Sequence, residues 1–86
     1  MYRAIFSRKA EKAFLGFTTK DAQRVKEAIE ELTREPRGYQ TIKLDHAPVA
    51  RFRRRVGNYR ILFDVDDTNQ ILEILDIRKR DEQTYK

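Results

Sequence analysis

Two alternating stretches, ARFRRRV over residues 50–56 and YRILFDV over residues 59–65, meet at Gly57-Asn58. No other feature constrains the fold so tightly. A period of two marks a half-buried strand, with one side chain in every pair turned to the core. A two-residue Gly-Asn connection is a hairpin turn, glycine supplying the positive φ. That turn sets Val56 against Tyr59, Arg55 against Arg60, Phe52 against Phe63 and Arg51 against Asp64. Apolar residues then meet apolar ones, and charged residues meet charged ones. Only Arg54 departs, falling among Ala50, Phe52 and Val56.

The same register places Arg51, Arg53, Arg55 and Arg60 on one face. Five arginines lie within residues 51–60, and like charges directly opposed across strands are destabilising, by roughly 0.2–1 kcal/mol per pair. Charge pattern alone leaves two readings. One is a solvated strand surface, protected from aggregation by its charge. The other is a site for something anionic. Two details favour the second: the repulsion itself, and the presence of Asp64 as the only acid on that face of the hairpin.

The rest of the chain supplies the layer that covers the apolar face. YRAIF (residues 2–6) reads as a short strand. Ser7 has the character of a helix N-cap, and Ala10, Ala13, Phe14 and Phe17 follow at helical spacing. Gly16 and the Thr18-Thr19 pair break that helix. A second places Ala22, Val25, Ala28, Ile29 and Leu32 on one face and ends at Pro36 and Gly38. Residues 37–48 read as a loop with a brief TIKL run, and a last strand spans about residues 70–77. The expectation is one α+β domain over residues 1–86. A small antiparallel sheet packs on an N-terminal αα-hairpin, in the order β-α-α-β-β-β.

Composition narrows the chemistry. The net charge of +5 points to an acidic partner, nucleic acid or an acidic protein segment. Without cysteine there are no disulfides or thiolate metal ligands. There is no apolar run long enough for a membrane span and no signal-peptide core, so a cytoplasmic location is expected. The single histidine, His46, has no partner at catalytic spacing. The acidic stretch DVDDTN (residues 64–69) lacks the glycine and distal glutamate of a calcium loop and reads as a turn. No metal or other cofactor is expected, and any catalysis must run on Arg, Lys and Tyr. That points to phosphate chemistry.

From Ile42 through KLDHAPVARFRRRVGNYRILFDVDD to IRKRDEQTY, the chain resembles the RelE/ParE superfamily of type II toxin–antitoxin toxins. The shared pattern is a basic alternating strand, a Gly-x-Tyr-Arg hairpin, a short acidic turn, a hydrophobic strand and a final basic-acidic-Tyr segment. GNYRILFDVDD is its most specific piece, although gyrase-poisoning ParE members share much of it. The resemblance covers nearly the whole chain and implies a RelE-like fold. For RelE-type members it implies metal-independent cleavage of mRNA in the ribosomal A site. There the 2′-hydroxyl attacks the adjacent phosphate and leaves a 2′,3′-cyclic phosphate.

Carried over residue by residue, the implied catalytic set is Arg51, Arg53, Arg60, Arg80 and Tyr85. Arg60 and Arg80 would hold the phosphate, Arg51 and Arg53 the RNA backbone, and Tyr85 would stack on a base. Lys43, Arg54, Arg55, Arg78 and Lys79 are expected to add RNA contacts. The implied partners are a cognate acidic antitoxin, the ribosome with its mRNA, and operator DNA through the antitoxin complex only. Many RelE members carry lysine where this chain has Arg51 and Arg53. A guanidinium hardly deprotonates, so proton removal falls to Asp81, Glu82 or the ribosomal RNA, or is replaced by electrostatics. With one residue after Tyr85, the family's C-terminal helix is expected to be short or missing. Two other readings stand beside this one: a ParE-type gyrase inhibitor acting by binding, and a non-toxic basic module that binds nucleic acid or a partner.

Overall fold

The computed structural model describes residues 1–38, 41–44 and 50–79. Strand β1 (Arg3–Phe6) leads into helix α1 (Arg8–Leu15), then α2 (Thr19–Arg34). Strands β2 (Thr41–Lys43), β3 (Phe52–Val56), β4 (Tyr59–Asp66) and β5 (Ile71–Lys79) follow. They form one five-stranded sheet in the order β1-β5-β4-β3-β2.

Helix α1 begins at the N-cap the sequence predicts, and α2 begins at Thr18, in the pair read from sequence only as a break. The Ser7 hydroxyl oxygen accepts the Ala10 N–H at 3.0 Å, and the Thr18 hydroxyl oxygen accepts that of Asp21 at 3.2 Å. Each cap satisfies one of the donors a helix leaves orphaned at its start. Helix α2 buries Val25, Ala28, Ile29 and Leu32 at intervals of three and four, so one face lies on the sheet. It ends at Glu35, where the following proline disfavours helical backbone.

The β3–β4 hairpin has the register its sequence dictates, with Val56 opposite Tyr59, Arg55 opposite Arg60 and Phe52 opposite Phe63. Gly57 takes φ of 57°, which a residue with a Cβ adopts only at a cost. The fourth expected pairing becomes a side-chain contact: the Arg51 N–H donates to Asp64 Oδ1 at 2.6 Å. The acidic stretch closes the β4–β5 turn, Asp66 accepting the Asn69 N–H and side-chain amide at 3.1 and 2.9 Å.

Three features differ from the expected sheet. Thr41–Lys43, read as part of a loop, is an edge strand paired antiparallel with β3. Strand β1 pairs parallel with β5, which makes the sheet mixed. And β5 carries a bulge: Leu62 faces Asp76 while Phe63 faces Ile74, leaving Leu75 as the extra residue. Helix α1 holds that bulge. The Ser7 N–H donates to the Ile74 carbonyl and the Ser7 hydroxyl to the Leu75 carbonyl, both at 2.8 Å.

The core lies between the helices and one sheet face. Phe63, Leu32, Ile61, Leu72, Ile74 and Val25 are its largest fully buried side chains. An aromatic run of Phe6, Phe14, Phe17 and Tyr59 extends it along α1, with ring centroids 5.8, 6.0 and 4.4 Å apart. The Tyr59 hydroxyl donates to Asp21 Oδ2 at 2.8 Å, so the phenol end of this run is satisfied.

Candidate functional site

The helices cover one face of the sheet. On the other, pairing across β3, β4 and β5 stacks side chains in transverse rows. Nearest the hairpin turn, Arg55 lies opposite Arg60 and Arg60 opposite Arg78. The next row runs from Ile42 of β2 through Arg53 and Leu62 to Asp76. Beyond the bulge, Asp64 faces Glu73, which neighbours Ile5 of β1. The face is therefore graded, strongly basic at the hairpin end and acidic at the other.

Opposed residues in such rows have Cα atoms about 4.5–5.5 Å apart. Three guanidinium groups thus share one short span, a costly arrangement for the fold and a favourable one for an anion. Arg53, in the next row, has its Nε buried with no hydrogen-bond partner among the described residues. A buried donor left unsatisfied costs roughly 1–3 kcal/mol, which a bound acceptor would relieve.

One acid tempers this charge. Asp76 is 3% exposed and is the one buried charged residue among those described. Its Oδ1 accepts the Ile77 N–H at 2.8 Å, and its Oδ2 accepts Arg78 Nε at 2.8 Å. Lys9 Nζ of α1 lies 3.5 Å from the same Oδ2. Strict alternation along β5 puts Asp76 with Leu72 and Ile74, in the core. The bulge at Leu75 shifts the phase, sending Ile77 inward and Asp76 to the open face. Sequence reasoning missed Asp76 and Lys9. The available signal was the apolar spacing itself, which runs 72, 74, 77 rather than 72, 74, 76.

The expected site residues divide into four groups. Arg53, Arg55, Arg60 and Arg78 are brought together on the open face. Arg51 and Lys43 line a groove of about 580 Å³ with Arg37, Thr41, Phe52, Val65 and Asp67, at the far end of the hairpin. Arg54 and Lys79 share the helix-side face, since Arg54 pairs with Ile61 and Lys79 with Tyr59. Arg54 Nη2 bonds Glu31 of α2 at 2.8 Å, which takes it out of the basic cluster. Arg80 and Tyr85, with His46, Asp81 and Glu82, lie outside the described residues.

A second charge cluster ties the rim of the groove. Arg37 donates to both Asp67 oxygens, at 3.2 and 2.9 Å, and its guanidinium sits 5.5 Å from the Phe52 ring centroid. The Tyr2 hydroxyl donates to Asp67 Oδ1. Arg37 holds the Asp67 carboxyl below the usual carboxylate range, with Tyr2 adding to the effect. The same carboxylate raises the Tyr2 phenol.

Chemically, the open face offers donors and positive charge. Asp76 already accepts two hydrogen bonds, lies in ion-pair reach of Lys9 and is enclosed, so it is poorly placed to take a proton from a ligand. Among the described residues no group of His, Asp or Glu could hold a metal ion. No helix of the described residues is long and apolar enough to cross a membrane.

A family model described as the ParE toxin of type II toxin-antitoxin system, parDE, matches residues 4–84. No curated protein matches the chain. Solved structures do. The archaeal RelE–RelB complex from Pyrococcus horikoshii is 24% identical with a TM-score of 0.77, covering 95% of this chain and 98% of that one. The toxin–antitoxin complex RelBE2 from Mycobacterium tuberculosis is 28% identical with a TM-score of 0.80, covering 92% and 98%. The isolated RelE toxin of E. coli is 20% identical with a TM-score of 0.80, covering 99% and 89%.

Proposed function

The chain belongs to the ParE toxin family of type II toxin–antitoxin systems, and from that premise we propose that it acts as a ribosome-dependent endoribonuclease. The observation that carries the reading is the open-face cluster of Arg53, Arg55, Arg60 and Arg78. Such a face suits a phosphodiester backbone. Arginine binds phosphate oxygens bidentately and stabilises charge that gathers on them as the 2′-hydroxyl attacks. In this reading Arg60 and Arg53 contact the scissile phosphate, while Arg55 and Arg78 hold the adjoining backbone. Arg51, Arg80 and Tyr85 enter by their match to the RelE pattern, Arg80 supporting departure of the 5′-oxygen and Tyr85 stacking on a base.

The site has a strong electrostatic component and no evident strong base among the described residues. Free RNA is flexible, and alignment of its 2′-hydroxyl with the phosphate and leaving oxygen is rare. A ribosome holds mRNA in fixed geometry, and orientation of that kind is worth several kcal/mol. The protein alone should therefore leave naked mRNA intact and cut within codons once programmed ribosomes are added. The products should be a 2′,3′-cyclic phosphate and a 5′-hydroxyl.

The partner in this reading is an acidic antitoxin, as the archaeal and mycobacterial relatives were solved in toxin–antitoxin complexes. Pull-down of the tagged chain from its native host under rising salt tests that partnership, and failure to recover any small acidic protein would count against it. A second target is favoured by the family description, whose ParE members include gyrase inhibitors. Primer extension on ribosome-bound mRNA, run beside a gyrase supercoiling assay, separates the two. Uncut mRNA with blocked supercoiling would replace the ribosome by gyrase.

A further inference from the structure

Arg78 is held in an unusual way for a residue on a basic face. Its guanidinium is anchored through Nε alone, 2.8 Å from Asp76 Oδ2. Its two terminal nitrogens make no hydrogen bond to any described residue, and the side chain is 50% exposed. An arginine gripped at Nε keeps its outer pair of nitrogens for a second, two-pronged contact. Directly across the strand lies Arg60.

The support beneath Arg78 is built from several elements. Strand β1 pairs with β5 only as far as Ile74, so the outer side of β5 past that point is left to the start of α1. There Ser7 bonds the Leu75 carbonyl and Lys9 reaches the Asp76 carboxylate. The bulge turns Asp76 onto the open face, and burial, two hydrogen bonds and the Lys9 ion pair fix its oxygens. A carboxylate enclosed in this way is costly unless it is paired and bonded, as it is here.

We propose that Asp76 is a positioning residue that aims Arg78 as a second phosphate-binding group beside Arg60, for the phosphodiester next to the one undergoing cleavage. This rests on the endoribonuclease reading and adds a residue that never touches the RNA. Simple charge counting predicts the opposite behaviour. Removing a negative charge from a basic face should tighten RNA binding, whereas loosening a pre-aimed guanidinium should weaken it.

The decisive comparison uses the full chain and a short single-stranded RNA oligonucleotide, with affinity measured by fluorescence anisotropy over a salt series. Asp76→Asn keeps the shape and the acceptor for the Ile77 N–H but leaves Arg78 and Lys9 without their counter-charge. Its affinity should fall about fivefold to tenfold, close to the loss for Arg78→Gln. The double variant should lose no more than Arg78→Gln alone, because Asp76 acts through Arg78. In nitrogen-detected NMR the Arg78 Nε–H should exchange slowly with solvent in the parent and rapidly in Asp76→Asn. If Asp76→Asn does not fold, Arg78→Lys decides, since lysine keeps the charge but has no planar fork that can be anchored at one nitrogen and bind two phosphate oxygens with the others. It should bind as weakly as Arg78→Gln. Equal or tighter binding by Asp76→Asn, or parent-like binding by Arg78→Lys, overturns the proposal while leaving the endoribonuclease reading intact. A parent protein that neither binds the oligonucleotide nor cuts ribosome-bound mRNA overturns both.

Discussion

The two faces of the β3–β4 hairpin come from the same thirteen residues between Phe52 and Asp64, yet they serve opposite ends. On the helix side Phe52 stacks on Phe63, with ring centroids 5.6 Å apart, and Ile61 and Phe63 are fully buried. On the open side Arg53, Arg55 and Arg60 crowd together beside Arg78. Stability is concentrated on the first face, and the second subtracts from it. The contrast teaches that the crowded arginines at the hairpin end of the open face do not serve the fold, which is what the proposed anion site requires. The sharpest test of the helix-side half is Phe63→Ala, which should cost about 3–5 kcal/mol in urea unfolding. Phe52 is partly exposed beneath Arg37, so Phe52→Ala should cost clearly less. Equal costs would mean the groove beside Phe52 is closed in solution.

The open side should respond in the reverse sense. Arg60→Ala and Arg53→Ala should abolish toxicity on induction and cleavage of ribosome-bound mRNA. Their melting temperatures should stay level or rise slightly as repulsion is relieved, a change within about 1 kcal/mol. Arg54→Ala provides the control within the same strand. Arg54 faces α2 and bonds Glu31, so its loss should lower stability modestly and leave cleavage largely in place. If Arg54→Ala abolished cleavage with the fold intact, the division between the two faces would be wrong.

Which parts of this were legible beforehand follows from the range of the interactions. The hairpin register and the α1 cap rest on residues a few positions apart, and there the sequence is explicit: Gly57 and Ser7 do what their chemistry dictates. Thr18, read only as part of a break, turns out to cap α2 by the same local chemistry. Strand β2 is different. Three residues of TIK carry no alternation of their own and become a strand only because β3 offers an edge to pair with. The parallel pairing of β1 depends on β5, some seventy residues away, and so left no local mark. At the site, period two correctly separated Arg53, Arg55 and Arg60 from Arg54. It gave no hint of Asp76, because one extra residue at Leu75 reverses which side chains face the core. Arg51, expected among the open-face arginines, lines the groove at the far end of the hairpin, its N–H held by Asp64.

Ser7 connects the two faces through that bulge, and its loss should have an intermediate effect. Ser7→Ala removes the α1 cap and the donor to the Leu75 carbonyl together, an expected cost of about 1–2 kcal/mol. Ser7→Asp should restore the cap, since a carboxylate accepts from the Ala10 N–H, but cannot donate to Leu75 when ionised. Thermal unfolding of both variants apportions the loss. Full recovery by Ser7→Asp would show that the bulge needs no clamp, and that the phase of β5 is set by its apolar residues alone.

The smallest effect concerns Asp67, at the rim where opposite signs are paired rather than like signs crowded. Arg37 and then Tyr2 hold its carboxyl below the ordinary value. A carboxylate lowered in the folded state contributes stability above its unfolded pKa. That contribution disappears as pH falls through the ordinary carboxylate range to the lowered folded value. The parent should therefore lose stability on acidification in that window, and Asp67→Asn should show a flatter profile there while being slightly less stable at neutral pH. Because the group lies at the surface, salt should shrink the difference. The open face gives the contrast: an arginine side chain does not titrate in this range, so Arg55→Ala should shift the whole acid profile without changing its shape. Were Arg55→Ala to reshape the profile in the window where Asp67 titrates, the basic face and the paired rim would be coupled rather than independent.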